Sequence, residues 1–511
     1  MLIRSAVPFL AAVAVYWFSA GRLPPRRRVQ VLVMVVPVLC AVTFEEYSEE
    51  RWGVRSGADL TTLFNTRIVE LLPVSLFDLL VLLAVASAVL ALGPAALVHA
   101  VTRASSGLRW LMGAALLALI LGIGLGAAQL TAGDGHELFH LLREARPLGL
   151  ALVGLVLTSA VLARDPTAAR ACGHAIVAGI VGRAVVGTAR HLGGGGRWYH
   201  GDRMVFFDAT DSLLFVAAFA ALALAVVRSR STTTLLLCGV AAVPLAYAFV
   251  FSYRRSVWLG AVAALVLVVV VERRALLARP HLLAGAAAVA LVVGGAVLAQ
   301  NDPSFLVSRV RSIIAVDGEP SNEFRVHDLR NGLHDIVRHR GLGAGFGGRA
   351  EVVSTTPDQA EFIEHVTRLN HNSAVYLVMK MGMVGGGAWL ALLITACVRA
   401  IARTQHPAEA RGRWAWVIAL ALVAAGVTSM FLPLAYNVRP MLLWSVAAGT
   451  ILAPSAARPA CRTGRRLALA YGRDGRLRGA LRRSGACPST ETKGCQPRTA
   501  RAVEMSLRLT R

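Results

Sequence analysis

Thirteen apolar stretches, most of them close to the length of a membrane-crossing helix, follow one another along this chain. They run near 5–20, 29–44, 71–92, 108–130, 147–163, 168–188, 210–227, 234–252, 257–271, 282–300, 373–398, 414–433 and 438–453. A bilayer core takes about 20 consecutive apolar residues as a helix, and a helix satisfies its own backbone hydrogen bonds where no water can. The pattern predicts an all-α polytopic membrane protein of about 12 to 13 transmembrane helices with one large outer loop that holds short helices. The chain is 56% hydrophobic and only 16% charged, where a soluble domain is about a quarter charged. The first apolar run, Ala6 to Ala20, has no small-residue cleavage site followed by a soluble domain, and reads as a retained span rather than a signal peptide.

The formal charge of +24 taken alone points to nucleic acid. Its distribution points to a membrane instead. Every second connection is basic: Arg22 with Arg26 to Arg28, Arg103 and Arg109, Arg164 and Arg170, Arg228 and Arg230, Arg273 with Arg274 and Arg279, then Arg399, Arg403, Arg411 and Arg413. The connections between them are acidic or mixed. Basic loops stay on the cytoplasmic side, so the alternation predicts a cytoplasmic C-terminus and an external loop at 301–372. Four regions follow: N-terminal transmembrane helices at 1–300, the large periplasmic loop at 301–372, C-terminal transmembrane helices at 373–453, and a basic, disordered cytoplasmic tail at 454–511. That tail carries 14 Lys/Arg against 3 Asp/Glu, suited to anionic headgroups. The partner implied is a phospholipid bilayer, with no nucleic acid. Seven cysteines form no C-x-x-C pair and none lies in the outer loop, which argues against a disulfide framework or a zinc site. No cofactor or metal is implied.

The outer loop carries its own helix signals. Ser321 is placed to cap a helix with Glu323 in its first turn. Phe324, Leu329, Leu333 and Ile336 then share one face, with Arg and Asp opposite, and Gly341 is a natural stop. Such a helix suits the membrane surface, with its cations toward a headgroup. Gly343-x-Gly345-x-x-Gly348 matches a dinucleotide fingerprint in form only, since no strand precedes it. A flexible turn on the membrane is the expectation there.

Four local patterns point to chemistry. His371-Asn372-Ser373 sits where the loop re-enters the membrane, an interface at which an imidazole can act as a base. Gly382 and Gly385 follow on that span and allow close approach of a helix or lipid. Tyr253-Arg254-Arg255-Ser256 makes a tight turn on the outer side, against the basic-inside trend, and guanidinium forks suit phosphate oxygens. Arg325, Arg330 and Arg203 are further cations on that side. Arg183, Asp78 and Lys380 lie within spans; Arg183 must snorkel or face a polar cavity, while Asp78 could cap a neighbour or meet an arginine.

In their order and spacing these motifs resemble the O-antigen ligase/polymerase superfamily. The matching residues are Phe251 to Ser256 after a span, Arg325 leading to Gly341 to Gly347, and His371-Asn372 through Gly382 and Gly385, over roughly residues 210–450. One departure is Leu329, where the family often has an aromatic residue. The resemblance implies glycosyl transfer at the outer face of the cytoplasmic membrane. The donor would be a lipid-linked oligosaccharide on undecaprenyl pyrophosphate, and the acceptor a glycan, lipid or protein hydroxyl. His371 would be the catalytic base, with Arg254, Arg255, Arg325 and Arg203 binding pyrophosphate or substrate and Asn372, Gly382 and Gly385 in support. The alternative is a non-catalytic transporter or flippase of lipid-linked glycan. The sequence shows neither the inverted repeats nor the broken helices common in transporters.

Overall fold

The computed structural model describes residues 76–132, 137–165, 168–194, 197–199, 202–205, 211–228, 231–252, 254–277, 291, 295, 320–354, 368, 370–404, 410–432 and 434–452. The chain divides into two compact units, Met1–Ala456 and Ala457–Arg511; all described residues belong to the first.

The helices are α1 (Leu76–Leu92), α2 (Pro94–Thr102), α3 (Ser106–Ala132), α4 (Leu138–Arg164), α5 (Ala168–Leu192), α6 (Asp211–Arg228), α7 (Thr232–Val250), α8 (Arg255–Leu277), α9 (Pro320–Arg338), α10 (Ser373–Thr404), α11 (Ala410–Ser429) and α12 (Val438–Leu452). A two-stranded hairpin, β1 (Arg197–Tyr199) and β2 (Asp202–Met204), stands between α5 and α6. Ten of the thirteen expected spans are helices here. The stretches 5–20 and 29–44 lie outside the described residues, as does 282–300 apart from Leu291 and Gly295. By length and composition, α3, α4, α7 and α10 can each cross a membrane. The chain is an all-α polytopic membrane protein, the hairpin its one departure among the described residues.

Side-chain placement on α3 shows what surrounds the bundle. Ala115, Ala118, Gly122 and Gly126 face inward, while Leu117, Ile120 and Leu121 are more than half exposed. A water-soluble helix buries its large apolar residues. A helix in lipid gains nothing by that and turns small residues to its neighbours, where backbones approach closely. On α7, Leu236, Leu237 and Val240 are exposed in the same way.

Two seams hold the site in place. Along the first, α3 and α10 run antiparallel: Arg399 donates to Ser105 Oγ at one end (2.7 Å), Gly385 meets Ala118 midway, and Gly126 meets the 345–346 backbone at the other end. Along the second, α4 and α12 run parallel. Gly154 faces Ser445, Gly449 faces Thr158, and Ser159 Oγ donates to Gly449 O (3.3 Å). The α8 and α11 helices are antiparallel, with Gly260 against Ala424. Chain alternation then gathers 137–146, 205, 251–252, 254–256, 320–354, 368, 370–373, 428–432 and 434–438 at one end of the bundle.

Two expectations about helix limits are corrected. The stretch expected from 147 begins at Leu138, so Arg143, Glu144 and Arg146 lie inside α4. In α9 the helix starts at Pro320, and Ser321 falls in its first turn rather than at the cap. Proline suits a first helical position because its missing N–H would have no partner there.

Candidate functional site

The far end of α11 is the meeting point. Thr428 Oγ1 donates to Ser256 O (3.1 Å), which ties in the 254–256 turn. The Arg325 guanidinium of α9 lies 5.9 Å from the Phe431 ring centroid. Ser373 Oγ, at the start of α10, donates to Leu432 O (2.9 Å) and accepts from Ala435 N–H. Ser256, Arg325 and Ser373 thus meet one turn, and Arg254, Arg255 and His371 lie within two residues of them along the chain. Arg203 lies in β2 opposite Trp198, and the next free backbone N–H, that of Val205, donates to Phe251 O (3.0 Å), so its hairpin is fastened to the same place. Gly382 and Gly385 do not join this group. They lie about three turns along α10.

The arginine turn forms because α7 ends at Val250 and leaves carbonyls to satisfy. Phe249 O accepts from Ser252 Oγ (2.7 Å) and from Trp258 Nε1 (3.0 Å). Ser252 Oγ in turn accepts from Arg254 N–H (3.4 Å). Tyr253 lies outside the described residues. Arg255 is buried at the start of α8. The Arg254 Nε is buried and has no hydrogen-bond partner among the described residues. A desolvated guanidinium N–H is costly to leave unsatisfied, and phosphate oxygens match its geometry.

His371 has a partner that the sequence did not point out. Its Nδ1 lies 3.1 Å from Asp328 Oδ2, and the same oxygen accepts its backbone N–H at 2.5 Å. Asp328 is buried on α9, and its backbone carbonyl accepts from Asn370 Nδ2 (2.7 Å). Phe324 meets the imidazole edge-on at 5.0 Å. Asn372 caps α10, its Oδ1 accepting from Ala374 N–H (3.0 Å) and Val375 N–H (3.2 Å). The ring is therefore held from two elements. A carboxylate on Nδ1 selects the tautomer whose basic lone pair is on Nε2. Of the residues expected on the apolar side, α9 keeps Phe324 and Ile336 half-buried. The residues it buries against the bundle are Asp328, Asn331 and Asp335, whereas Leu329 and Leu333 are exposed. Their spacing of three and four residues makes a polar stripe that was legible in the sequence.

The glycine stretch is not a flexible turn on the membrane. Residues 343–348 are buried and run between α3 and α10. The reason lies at Gly382, whose φ of 75° and ψ of 173° break α10. The break frees the carbonyls of Met379 and Lys380, which take the N–H groups of Ala344 (2.7 Å) and Gly345 (3.1 Å); Met383 N–H goes to Gly341 O (2.8 Å). A Cβ on Gly382 would stand 2.5 Å from Leu342 O. Below the loop, Lys380 Nζ pairs with Glu144 Oε2 (2.9 Å) and donates to Gly348 O (2.9 Å), and Gly347 N–H donates to the same Glu144 oxygen (2.9 Å). Both side chains are fully enclosed. Asp78 pairs with Arg146 at 2.8 Å, and Arg183 is buried in the bundle. Above the loop, Glu137 bridges Arg368 (2.7 Å) and Arg349 (3.1 Å). Burial alone would raise the Glu137 pKa, but Arg368, His140 and Arg349 outweigh it and hold the carboxyl below its ordinary range. Arg143, also unremarked in the sequence, lies 5.1 Å over the Tyr436 ring beside this network.

Residues 240–390 match the O-antigen ligase family. The match supports the O-antigen ligase/polymerase superfamily. It runs from α7 to the middle of α10, and so holds Arg254, Arg255, Arg325, Asp328, His371, Gly382 and Gly385. Arg203, Arg143 and Glu144 fall outside the O-antigen ligase segment. No curated protein matches the sequence.

Proposed function

We propose that this chain is an integral membrane glycosyltransferase of the O-antigen ligase type. It moves a glycan from an undecaprenyl-pyrophosphate carrier to an acceptor hydroxyl at the outer face of the cytoplasmic membrane. The observation that carries the proposal is the His371–Asp328 pair, with the Arg254–Ser256 turn and Arg325 tied to the end of α11 that Ser373, two residues after His371, also reaches.

Each part has a role in that reaction. The acceptor oxygen attacks the anomeric carbon as the bond from that carbon to the pyrophosphate oxygen breaks. His371 Nε2 takes the hydroxyl proton, and Asp328 stabilises the imidazolium. The pyrophosphate leaves as an anion and needs positive charge to meet it rather than an acid. Arg254, Arg255 and Arg325 supply that charge, with Arg203 close by in its hairpin. Attack opposite the leaving group inverts the anomeric centre. In this reading the site faces the periplasm, the basic connections and residues 454–511 face the cytoplasm, and the 301–372 loop is the external region between the two transmembrane regions 1–300 and 373–453.

The transporter reading gains one observation, since α10 is broken after all. Yet the carbonyls freed at Gly382 are occupied by the glycine stretch, not left lining a path as in transporters. The test is to incubate the purified protein in vesicles with an undecaprenyl-pyrophosphate oligosaccharide. Transfer releases undecaprenyl pyrophosphate, with lengthened glycan from a polymerase and a modified second acceptor from a ligase. Glycan that crosses the bilayer intact, with no carrier released, would contradict the proposal.

A further inference from the structure

Helix α9 has three distinct faces. Asp328, Asn331 and Asp335 are buried against the bundle. Glu323, Arg330, His334 and Arg338 are exposed on a second face, where His334 and Arg338 reach Glu351 (3.5 and 2.8 Å). The third face carries Val326, Leu329, Leu333 and Val337, spaced by three and four residues, so they form one stripe. This stripe is exposed, from 37% at Leu329 and 50% at Leu333 to 76% at Val337. In water the arrangement is inverted, for the polar face is covered and the apolar one bare.

The stripe is continued by a surface already turned to lipid. Leu342 follows α9 and is 77% exposed; Met383 and Val384, at 65% and 88%, lie on α10, which is long and apolar enough to cross the membrane. Gly341 joins them: a Cβ there would stand 3.0 Å from Met383 Sδ, and its carbonyl accepts from Met383 N–H. An apolar face, a charged face and a continuous join to a spanning helix describe a helix lying in the interface plane.

We propose that α9 is embedded in the bilayer interface, with Val326, Leu329, Leu333 and Val337 among the acyl chains of the adjacent leaflet and Arg330, His334 and Arg338 in the aqueous layer. The occupant of the stripe is phospholipid. Because α9 also carries Asp328 and Arg325, the bilayer helps to fix the height of the His371 pair, placing it at the depth where the phosphate groups of a lipid-linked substrate lie. This last step rests on the proposed reaction; the embedding does not.

The experiment places p-benzoylphenylalanine, singly, at Leu333, at Val337 and at Arg330 of the full chain. Each variant is reconstituted in vesicles of phosphatidylethanolamine and phosphatidylglycerol and irradiated, and adducts are read by mass spectrometry. Phospholipid adducts are expected at Leu333 and Val337 and none at Arg330. Crosslinks from Leu333 and Val337 into the protein's own chain or a second copy, or adducts to neither lipid nor protein at both positions, would overturn the proposal. No activity is needed, so failure here is distinct from failure of the glycosyltransferase reading.

Discussion

Asp328 is where a small change in side chain separates positioning from folding. Replacing it by Asn keeps the size and an acceptor for the His371 backbone N–H, but removes the carboxylate that selects the ring tautomer. General bases contribute about 10²- to 10⁴-fold to rate. Asp328→Asn is expected to lower the turnover of glycan transfer by about 10²-fold while the donor KM changes little. Unchanged turnover would show that Asp328 only packs. Asp335, two turns along, behaves differently. Burial raises its pKa above the ordinary value of 3.8, and His339, Lys380 and Arg338 only partly offset this. Between 3.8 and the raised value the folded protein binds more protons than the unfolded chain, so stability falls as pH rises through that window. In Asp335→Asn this decline should be absent from thermal unfolding across the acid range. The same slope in both proteins would rule out Asp335 as its source.

At the scale of elements, the break in α10 and the glycine stretch stabilise each other. Neither would persist alone, because the break exposes carbonyls and the stretch carries N–H groups that both need partners. Lys380 and Glu144 anchor the pair from below. Lys380→Met would leave a buried carboxylate unpaired, at a cost of about 3–5 kcal/mol. Adding Glu144→Gln should recover most of it, since Gln still accepts from Gly347 N–H. The check is a melting temperature for each variant in detergent, and a double variant no more stable than the single one would contradict this account. Much of this was hidden in the sequence for a physical reason. Charges in a span are expensive, so Arg143, Glu144 and Arg146 read as a loop before 147. Their partners, Lys380 and Asp78, lie far away along the chain. On α9 the apolar residues were legible from their spacing, but the buried Asp328, Asn331 and Asp335 were not singled out, because each finds its partners far along the chain or on another element. The spans themselves, the arginine turn and the His-Asn re-entry were legible, because each depends on local composition or on charge beside a span.

For the whole bundle, the structure gathers His371, Arg254, Arg255 and Arg325 at one end, while among the described basic residues Arg109 and Arg399 lie at the opposite end of the α3–α10 seam. The proposed reaction requires the first of these ends to face out, as the charge of the connections predicts, and this is open to direct measurement. Reporter fusions after residue 350 should be active on the periplasmic side, and fusions after residue 452 on the cytoplasmic side. The opposite pattern would place the site away from an external acceptor and remove the proposed reaction. The O-antigen ligase match covers the stretch that carries most of the site but not α4, which supplies Glu144 and Arg143. The site is therefore a product of the whole bundle rather than of that stretch alone.

The most direct test of the central claim is a single-turnover assay in vesicles, with donor binding measured separately. The wild-type protein should release undecaprenyl pyrophosphate. His371→Ala should bind the lipid-linked donor as tightly but release carrier about 10²- to 10⁴-fold more slowly. Equal release rates in the two proteins would contradict the assignment of His371 as the base that activates the acceptor.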